Sequence, residues 1–91
     1  MNYSIIFTKD AIKYAKNLKA AKLNDKVKVL LLIIGNNPYQ NPPPFEKLIG
    51  NLCGLYSRRI NARHRLVYQI NEEKKEIKVV SMWTHYEGFA D

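Results

Sequence analysis

Three strand-like segments in the second half of this chain are joined by connections that are too short for a crossover. Leu55 to Ile60, His64 to Ile70 and Glu76 to Trp83 are rich in β-branched and aromatic residues, as strands are. Asn61 to Arg63 and Asn71 to Lys75 fill the gaps between them. Parallel neighbours need a connection of about a dozen residues or more, so these segments predict an antiparallel meander.

The beginning of the chain predicts one strand followed by a helix. Tyr3 to Phe7 consists largely of β-formers, and Thr8 suits the N-cap of a helix with Asp10 in its first turn. Lysines separate the apolar residues that fall at helical spacing, which are Ala11, Ile12, Ala15, Leu18 and, at the end, Leu23.

A second helix is predicted from the caps and the spacing that follow. Asn24 or Asp25 can cap it, Gly35 suits its end, and apolar residues recur with the helical period at Val27, Leu30, Leu31 and Ile34. Taken alone, the run Leu30 to Ile34 is also compatible with a buried strand, but the caps favour a helix.

These elements predict one α+β domain. The 91 residues suffice for a single domain with a small core. We expect the first strand to join the sheet of the meander and both helices to pack on one face of that sheet. The N-terminus lacks the pattern of a signal peptide, and the longest apolar run, Val29 to Ile34, is too short to cross a bilayer. We therefore expect a cytoplasmic protein that has no membrane partner.

The composition favours an anionic partner and argues against a metal site. Fifteen Lys and Arg against eight Asp and Glu give a formal charge of +7, which suits nucleic acid, an acidic protein or an anionic membrane surface. Cys53 is the only cysteine, so no intrachain disulfide can form, and packing is a more common role than catalysis for such a thiol. The sequence has no His-Glu-x-x-His motif, no paired cysteines and no glycine-rich phosphate loop, so we expect no metal and no cofactor.

Arginines cluster in the hairpin predicted between the first two strands of the meander. If the turn pairs Ile60 with His64, then Arg59 lies opposite Arg65, and a slip of one residue pairs Arg58 with Arg65 instead. Like charges in opposite positions are destabilising, which favours an anion between them. We expect Arg58, Arg59, Arg63 and Arg65 to bind phosphate, with a solvated basic face as the alternative.

A carboxylate and a histidine complete the groups that metal-free RNA cleavage requires. Glu46 follows a rigid proline run and is a candidate base for a 2′-hydroxyl, although a surface ion pair is the simpler interpretation. His85 is a candidate acid, and Tyr86 beside it could donate a hydrogen bond or stack on a base. His64 is the rival histidine, with a structural or phosphate-binding role favoured for it.

The aromatic residues of the strands have two possible uses. Tyr56, Tyr68 and Trp83 lie among charged residues, where aromatic rings can stack on unpaired bases. Strand aromatics in a small domain are more often part of the core. We expect Tyr68 to be buried and leave the other two open.

Four segments together resemble the YoeB/Txe branch of the RelE-type toxins. They are Phe45 to Leu48, Tyr56 to Asn61, His64 to Tyr68, and Trp83 to Tyr86. The resemblance implies a RelE-like fold and a toxin of a type II toxin–antitoxin pair that cuts mRNA in the ribosomal A site. It also implies a YefM-like antitoxin whose acidic tail covers the basic site, and a homodimer is left open.

The resemblance assigns roles to particular residues. Glu46 resembles the general base of the family, Arg65 its phosphate-stabilising arginine, and His85 its general acid with Tyr86 beside it. The residues expected to hold RNA are Lys47, Arg58 and Arg59, together with Arg63 from the arginine cluster. Two other readings remain, namely a non-catalytic module that binds RNA or the ribosome, and a module that binds only an acidic protein.

Overall fold

The computed structural model describes residues 2–50 and 54–82. The elements in chain order are β1 (Ser4–Phe7), α1 (Lys9–Ala20), α2 (Asn24–Asn36), β2 (Glu46–Lys47), β3 (Leu55–Arg59), β4 (Arg65–Asn71) and β5 (Glu76–Ser81). They form one sheet in the order β1-β5-β4-β3-β2, in which β1 runs parallel to β5 and the other pairs are antiparallel. The predicted α+β layout, with a meander that the first strand joins, is confirmed.

Helix α1 begins at the predicted cap. The backbone N–H of Ala11 donates to the Thr8 hydroxyl at 3.1 Å, and Asp10 lies in the first turn. Ala11 and Leu18 are buried against the sheet. Ile12 differs from the expectation, because it remains mostly exposed on the rim of a groove between the two helices.

The turn between the helices explains why the predicted cap of α2 is wrong. Lys22 adopts a positive φ of 60°, and the N–H of Leu23 donates to the carbonyl of Leu18 at 2.8 Å, which closes α1 in a Schellman motif. Leu23 is thereby the N-cap residue of α2, and no side chain caps that helix. Asn24 is its first residue, and Asp25 lies in its first turn.

The end of α2 also differs from the expectation by a small amount. Gly35 lies inside the helix, which continues to Asn36, and it is buried. Its carbonyl accepts the backbone N–H groups of Asn2 and Tyr3 at 3.0 and 2.9 Å. Gly35 therefore ties the end of the helix to the segment that leads into β1.

The hydrophobic core lies between the helices and one face of the sheet, as predicted. Leu66, Tyr68, Ile77 and Val79 are fully buried in a cluster with the apolar faces of both helices, which contribute Leu18, Val27, Leu30 and Ile34. Tyr68 is a core residue, as expected. Tyr56 is partly buried and stacks on Tyr68 with ring centroids 5.9 Å apart, while Trp83 and Cys53 lie outside the described residues.

An additional short strand at the sheet edge was not predicted. β2 pairs with β3, which places Glu46 opposite Ser57. The neighbouring hairpin has the first of the two registers considered, because the N–H of Ile60 donates to the carbonyl of His64 at 2.9 Å and Arg59 lies opposite Arg65. Neither helix within the described part of the chain is long and apolar enough to span a bilayer.

Candidate functional site

A basic pocket lies on the sheet face away from the helices. Successive strand residues point to opposite faces, so Arg65 and Val67 lie across the sheet from the core residues Leu66 and Tyr68. The pocket has a volume of about 280 Å³ at the β2 edge. Its lining residues are Pro44, Phe45, Glu46, Ser57, Arg59 and Arg65, and we call this set the β2-edge pocket.

Glu46 and Arg65 form an ion pair across this pocket. One guanidinium nitrogen of Arg65 lies 3.6 Å from a carboxylate oxygen of Glu46. The Glu46 side chain is 63% exposed and that of Arg65 is 23% exposed. The pair is longer than a charge-assisted hydrogen bond of about 2.7–2.9 Å and is open to solvent, so it is weak. Both groups therefore remain available to a ligand.

Arg59 adds a second positive charge to the same pocket. It lies directly opposite Arg65 in the β3–β4 pairing, and it is exposed. Across residues 2–50 and 54–82, Arg59 forms no ion pair. Two like charges in opposite positions repel each other, and an anion between the two planar guanidinium groups would remove that repulsion.

Arg58 takes a structural position, which differs from the RNA contact that we expected. It is fully buried on the core side, where its guanidinium lies 4.9 Å from the Phe45 ring and its Nε donates to the Tyr68 hydroxyl at 3.0 Å. Its other nitrogens donate to the carbonyls of Pro38, Gln40 and Pro43. With its donors directed at these acceptors, Arg58 holds the proline-rich loop, residues 37–45, which leads into β2.

Lys47 and Arg63 are exposed but lie outside the β2-edge pocket. Lys47 follows Glu46 in β2 and is paired with Tyr56, so it lies on the opposite face of the sheet. Arg63 lies in the turn of the β3–β4 hairpin, where its backbone N–H donates to the side chain of Asn61. The structure thus brings Glu46, Arg59 and Arg65 together and leaves these two cations at the surface.

His64 is less suited to proton donation than an exposed histidine. It is buried at the end of the hairpin turn. Burial and the positive charge of Arg63 lower its pKa, which favours the neutral ring. The other histidine, His85, and its neighbour Tyr86 lie outside the described residues, so their roles stay predictions. In the described ranges, no group of three or more His, Cys, Asp or Glu side chains could hold a metal ion.

Sequence reasoning did not assign three of the lining residues to the site, namely Pro44, Phe45 and Ser57. Phe45 also lies against the buried guanidinium of Arg58. The period-two alternation of a strand places Ser57 on the same face as Arg59, which was the available signal for it. Pro44 and Phe45 directly precede Glu46 in the sequence, but their place in the pocket depends on the path of the proline-rich loop.

A second cluster of side chains fixes the other end of that loop. Glu72 accepts hydrogen bonds from the hydroxyl groups of Tyr39 and Tyr3 and from the ammonium group of Lys75. These bonds, with that from Tyr39 the largest cause, lower the pKa of Glu72 from 4.5 to about 2. The cluster connects the loop to the β4–β5 turn and to the residue that precedes β1.

Comparison with known proteins places similar sequences and folds in one group of bacterial toxins. Residues 7–86 match the model of a family described as the YoeB-like toxin of bacterial type II toxin–antitoxin systems. A toxin YoeB of Synechocystis sp. is 36% identical over 66 residues, which cover 72% of this chain and 74% of that protein.

Solved structures give the same result for the fold. The YoeB/ParE toxin from Agrobacterium tumefaciens superposes with a TM-score of 0.83 at 25% identity, over 91% of this chain and 99% of that one. YoeB of Staphylococcus aureus, in a heterotetrameric YoeB–YefM complex, gives 0.78 at 36% identity, over 94% of this chain and 100% of that one. The Staphylococcus aureus YoeB has also been solved as a dimer, which matches with a TM-score of 0.77 at 35% identity, again over 94% and 100%.

Proposed function

We propose that this chain, which belongs to the YoeB-like toxins of bacterial type II toxin–antitoxin systems, is a metal-independent endoribonuclease that cuts mRNA in the ribosomal A site. The observation that carries the proposal is the β2-edge pocket, where the carboxylate of Glu46 lies 3.6 Å from Arg65 and Arg59 lines the same cavity. A proton acceptor beside two phosphate-binding groups is what attack by a 2′-hydroxyl requires.

The pocket supplies the base and the charge of this reaction. Glu46 takes the proton of the 2′-hydroxyl, and the 2′-oxygen forms a bond to the adjacent phosphorus. The bond from phosphorus to the 5′-oxygen breaks, which leaves a 2′,3′-cyclic phosphate on one fragment and a 5′-hydroxyl on the other. Arg65 and Arg59 stabilise the negative charge that develops on the phosphoryl oxygens.

The remaining roles rest on the motif at the end of the chain and on exposed charges. His85 protonates the departing 5′-oxygen, and Tyr86 beside it donates a hydrogen bond or stacks on a base. Lys47 and Arg63 contact RNA backbone away from the scissile phosphate, in keeping with their exposure outside the pocket. A 2′-hydroxyl is the nucleophile, so DNA is not a substrate.

The proposed protein partner is a YefM-like antitoxin with an acidic segment. Support comes from the Staphylococcus aureus relative, which was solved bound to YefM. A formal charge of +7 and an exposed pocket with two arginines suit an acidic chain, which would neutralise Arg59 and Arg65 and block RNA. The dimer of the same relative supports a homodimer as a second assembly, which light scattering of the purified toxin tests.

Expression without the antitoxin tests the toxin and its active site together. The wild type is expected to arrest growth, while Glu46→Ala and His85→Ala are expected to relieve the arrest at equal protein levels. Glu73→Ala is the matched control, because Glu73 is an exposed glutamate in the β4–β5 turn, away from the pocket. Normal growth with verified wild-type expression contradicts the proposal, and so does an arrest that Glu46→Ala leaves unchanged.

Adding ribosomes to a purified reaction tests the ribosome-dependent part. Message that is being translated is expected to be cut at the A-site codon, while free message remains intact. Binding of the message without any cut under both conditions would favour the non-catalytic RNA-binding module. If free message is cut at an equal rate, the nuclease activity is supported but the dependence on the ribosome is contradicted.

A further inference from the structure

Ser57 carries an unusual polar group in the floor of the β2-edge pocket. The residue is only 1% exposed, and its hydroxyl oxygen has no hydrogen-bond partner within the described part of the chain. A buried hydroxyl group without a partner destabilises the folded state, because it has lost water and gained nothing in return. The hydroxyl proton of Ser57 is therefore available to an acceptor side chain that reaches it.

The lining of the pocket offers one side-chain acceptor for this hydroxyl group. Ser57 lies opposite Glu46 in the β2–β3 pairing, so the two side chains share a face and their Cβ atoms are about 5 Å apart. On its other side Ser57 is paired with Val67, which is apolar. Arg59 and Arg65 are donors only, and the other lining side chains, those of Pro44 and Phe45, are apolar. Glu46 is therefore the one other side chain in this lining that can accept the hydroxyl proton.

We propose that Ser57 is a positioning residue that holds the Glu46 carboxylate in its reactive orientation once a phosphate occupies Arg59 and Arg65. The inference rests on the proposed nuclease function and adds a step to it. In this structure, the carboxylate lies 3.6 Å from Arg65. A phosphate that binds both guanidinium groups competes with the carboxylate for Arg65, and the displaced carboxylate turns to the hydroxyl group of Ser57.

The geometry of a carboxylate makes this second position useful. One oxygen accepts the Ser57 proton, and the other oxygen stays free to take the proton of the 2′-hydroxyl. The hydrogen bond also restricts a side chain that is 63% exposed, which favours a single reactive orientation.

The saturating rate and the affinity separate this role from simple packing. The charged groups that face Glu46 are Arg59 from β3 and Arg65 from β4. They bind the phosphate whether or not residue 57 carries a hydroxyl group. Loss of the hydroxyl is therefore expected to lower the saturating rate and to leave the affinity for the message unchanged.

The test is single-turnover cleavage of a ribosome-bound message over a range of toxin concentrations, which gives the saturating rate and the apparent affinity separately. The variants are Ser57→Ala, Ser57→Thr and Ser57→Val. Thr keeps the hydroxyl, and Val has nearly the shape of Thr without it. At saturating toxin we expect Ser57→Ala and Ser57→Val to cut about tenfold more slowly and Ser57→Thr to keep the wild-type rate. The toxin concentration that gives half of the saturating rate is expected to stay at the wild-type value for all three variants.

Each outcome has one meaning for the inference. An unchanged saturating rate for Ser57→Ala overturns it, as does a loss that is equal for Thr and Val, or a loss that appears only as a weaker affinity. Thermal melts show whether a variant folds, and if Thr and Val do not, the saturating rate and the affinity of Ser57→Ala against the wild type decide the question. A wild type that cuts no message overturns the nuclease proposal itself, and the inference falls with it.

Discussion

At the residue scale, the site depends on a carboxylate that contributes little to folding. Glu46 is exposed, and its ion pair with Arg65 is long. Exposed pairs of this kind stabilise a protein by about 1 kcal/mol or less. The same exposure leaves the carboxylate accessible to a 2′-hydroxyl, so the proposed catalytic role of Glu46 and its effect on stability can be measured separately.

Glu46→Gln tests that separation. The amide keeps the size of the side chain but cannot accept a proton, so we expect the cleavage rate to fall by a factor of about 10² to 10⁴. The free energy of unfolding is expected to change by about 1 kcal/mol or less. Single-turnover cleavage and urea denaturation measure the two quantities, with Glu73→Gln as the control. A large loss of stability would mean that Glu46 supports the fold.

Glu72 is a second residue whose charge has a measurable consequence. Its pKa in the folded protein is about 2, below the ordinary 4.5, because Tyr39, Lys75 and Tyr3 donate hydrogen bonds to the ionised form. The resulting stabilisation is fully present above about pH 4.5 and is lost as the pH falls from there towards 2. The wild type should therefore lose more stability than Glu72→Gln between pH 6 and pH 3 in urea titrations. Equal losses for the two proteins would contradict this role of Glu72.

At the scale of elements, the proline-rich loop owes its path to one buried guanidinium. Arg58 donates to the carbonyls of Pro38, Gln40 and Pro43 and to the hydroxyl of Tyr68. Proline supplies no backbone N–H, so carbonyls in such a loop lack the usual backbone partners. Arg58 satisfies them and thereby sets the position from which the loop enters β2.

Substitution of adjacent arginines separates the scaffold from the site. Arg58→Met leaves several buried acceptors unpaired, and we expect it to destabilise the protein by about 3 kcal/mol and to reduce cleavage. Arg59→Met removes an exposed guanidinium, so stability should change by about 0.5 kcal/mol or less while cleavage still falls. Urea denaturation and cleavage assays on both variants give the comparison. Equal stability losses for the two variants would contradict the burial of Arg58 as the cause of a larger loss at that position.

The same pair of arginines shows what sequence could and could not predict. The turn length limited the hairpin to two registers, and the structure has the one that pairs Arg59 with Arg65. The clustering of arginines alone could not show that Arg58 is buried and Arg59 is exposed. Which of the two is buried depends on the face of the strand that the helices cover. β2 was missed because two residues after a proline run carry no periodicity. The cap of α2 was wrong because a Schellman motif at Lys22 made Leu23 the N-cap.

At the scale of the molecule, the sheet divides two tasks between its faces. One face packs on both helices and forms the core, and the other carries the β2-edge pocket with Arg59 and Arg65. The formal charge of +7 adds a general attraction to RNA. Local contacts in the pocket and the overall charge should therefore affect the salt dependence of RNA binding differently.

The salt dependence of RNA binding measures that difference. On single strands, the logarithm of the affinity falls with the logarithm of the salt concentration by about 0.7 for each phosphate neutralised. We expect Arg59→Gln to reduce this slope by about 0.7, as measured by anisotropy with a 2′-O-methyl RNA that cannot be cut. Lys16→Gln removes the same charge from an exposed position on α1 and is expected to leave the slope unchanged. Equal effects of the two substitutions would contradict a specific phosphate contact at Arg59.

The central claim is that Glu46, Arg59 and Arg65 act together on one phosphodiester, and the chemical ends of the cut RNA test it most directly. Message cut by the purified toxin on the ribosome is predicted to carry a 5′-hydroxyl on one fragment and a 2′,3′-cyclic phosphate, or the 3′-phosphate that forms from it, on the other. A 2′-deoxy substitution at the cut site is predicted to abolish the cut. A 5′-phosphate end, or an undiminished cut at the 2′-deoxy position, would show that water attacks instead and would contradict the account.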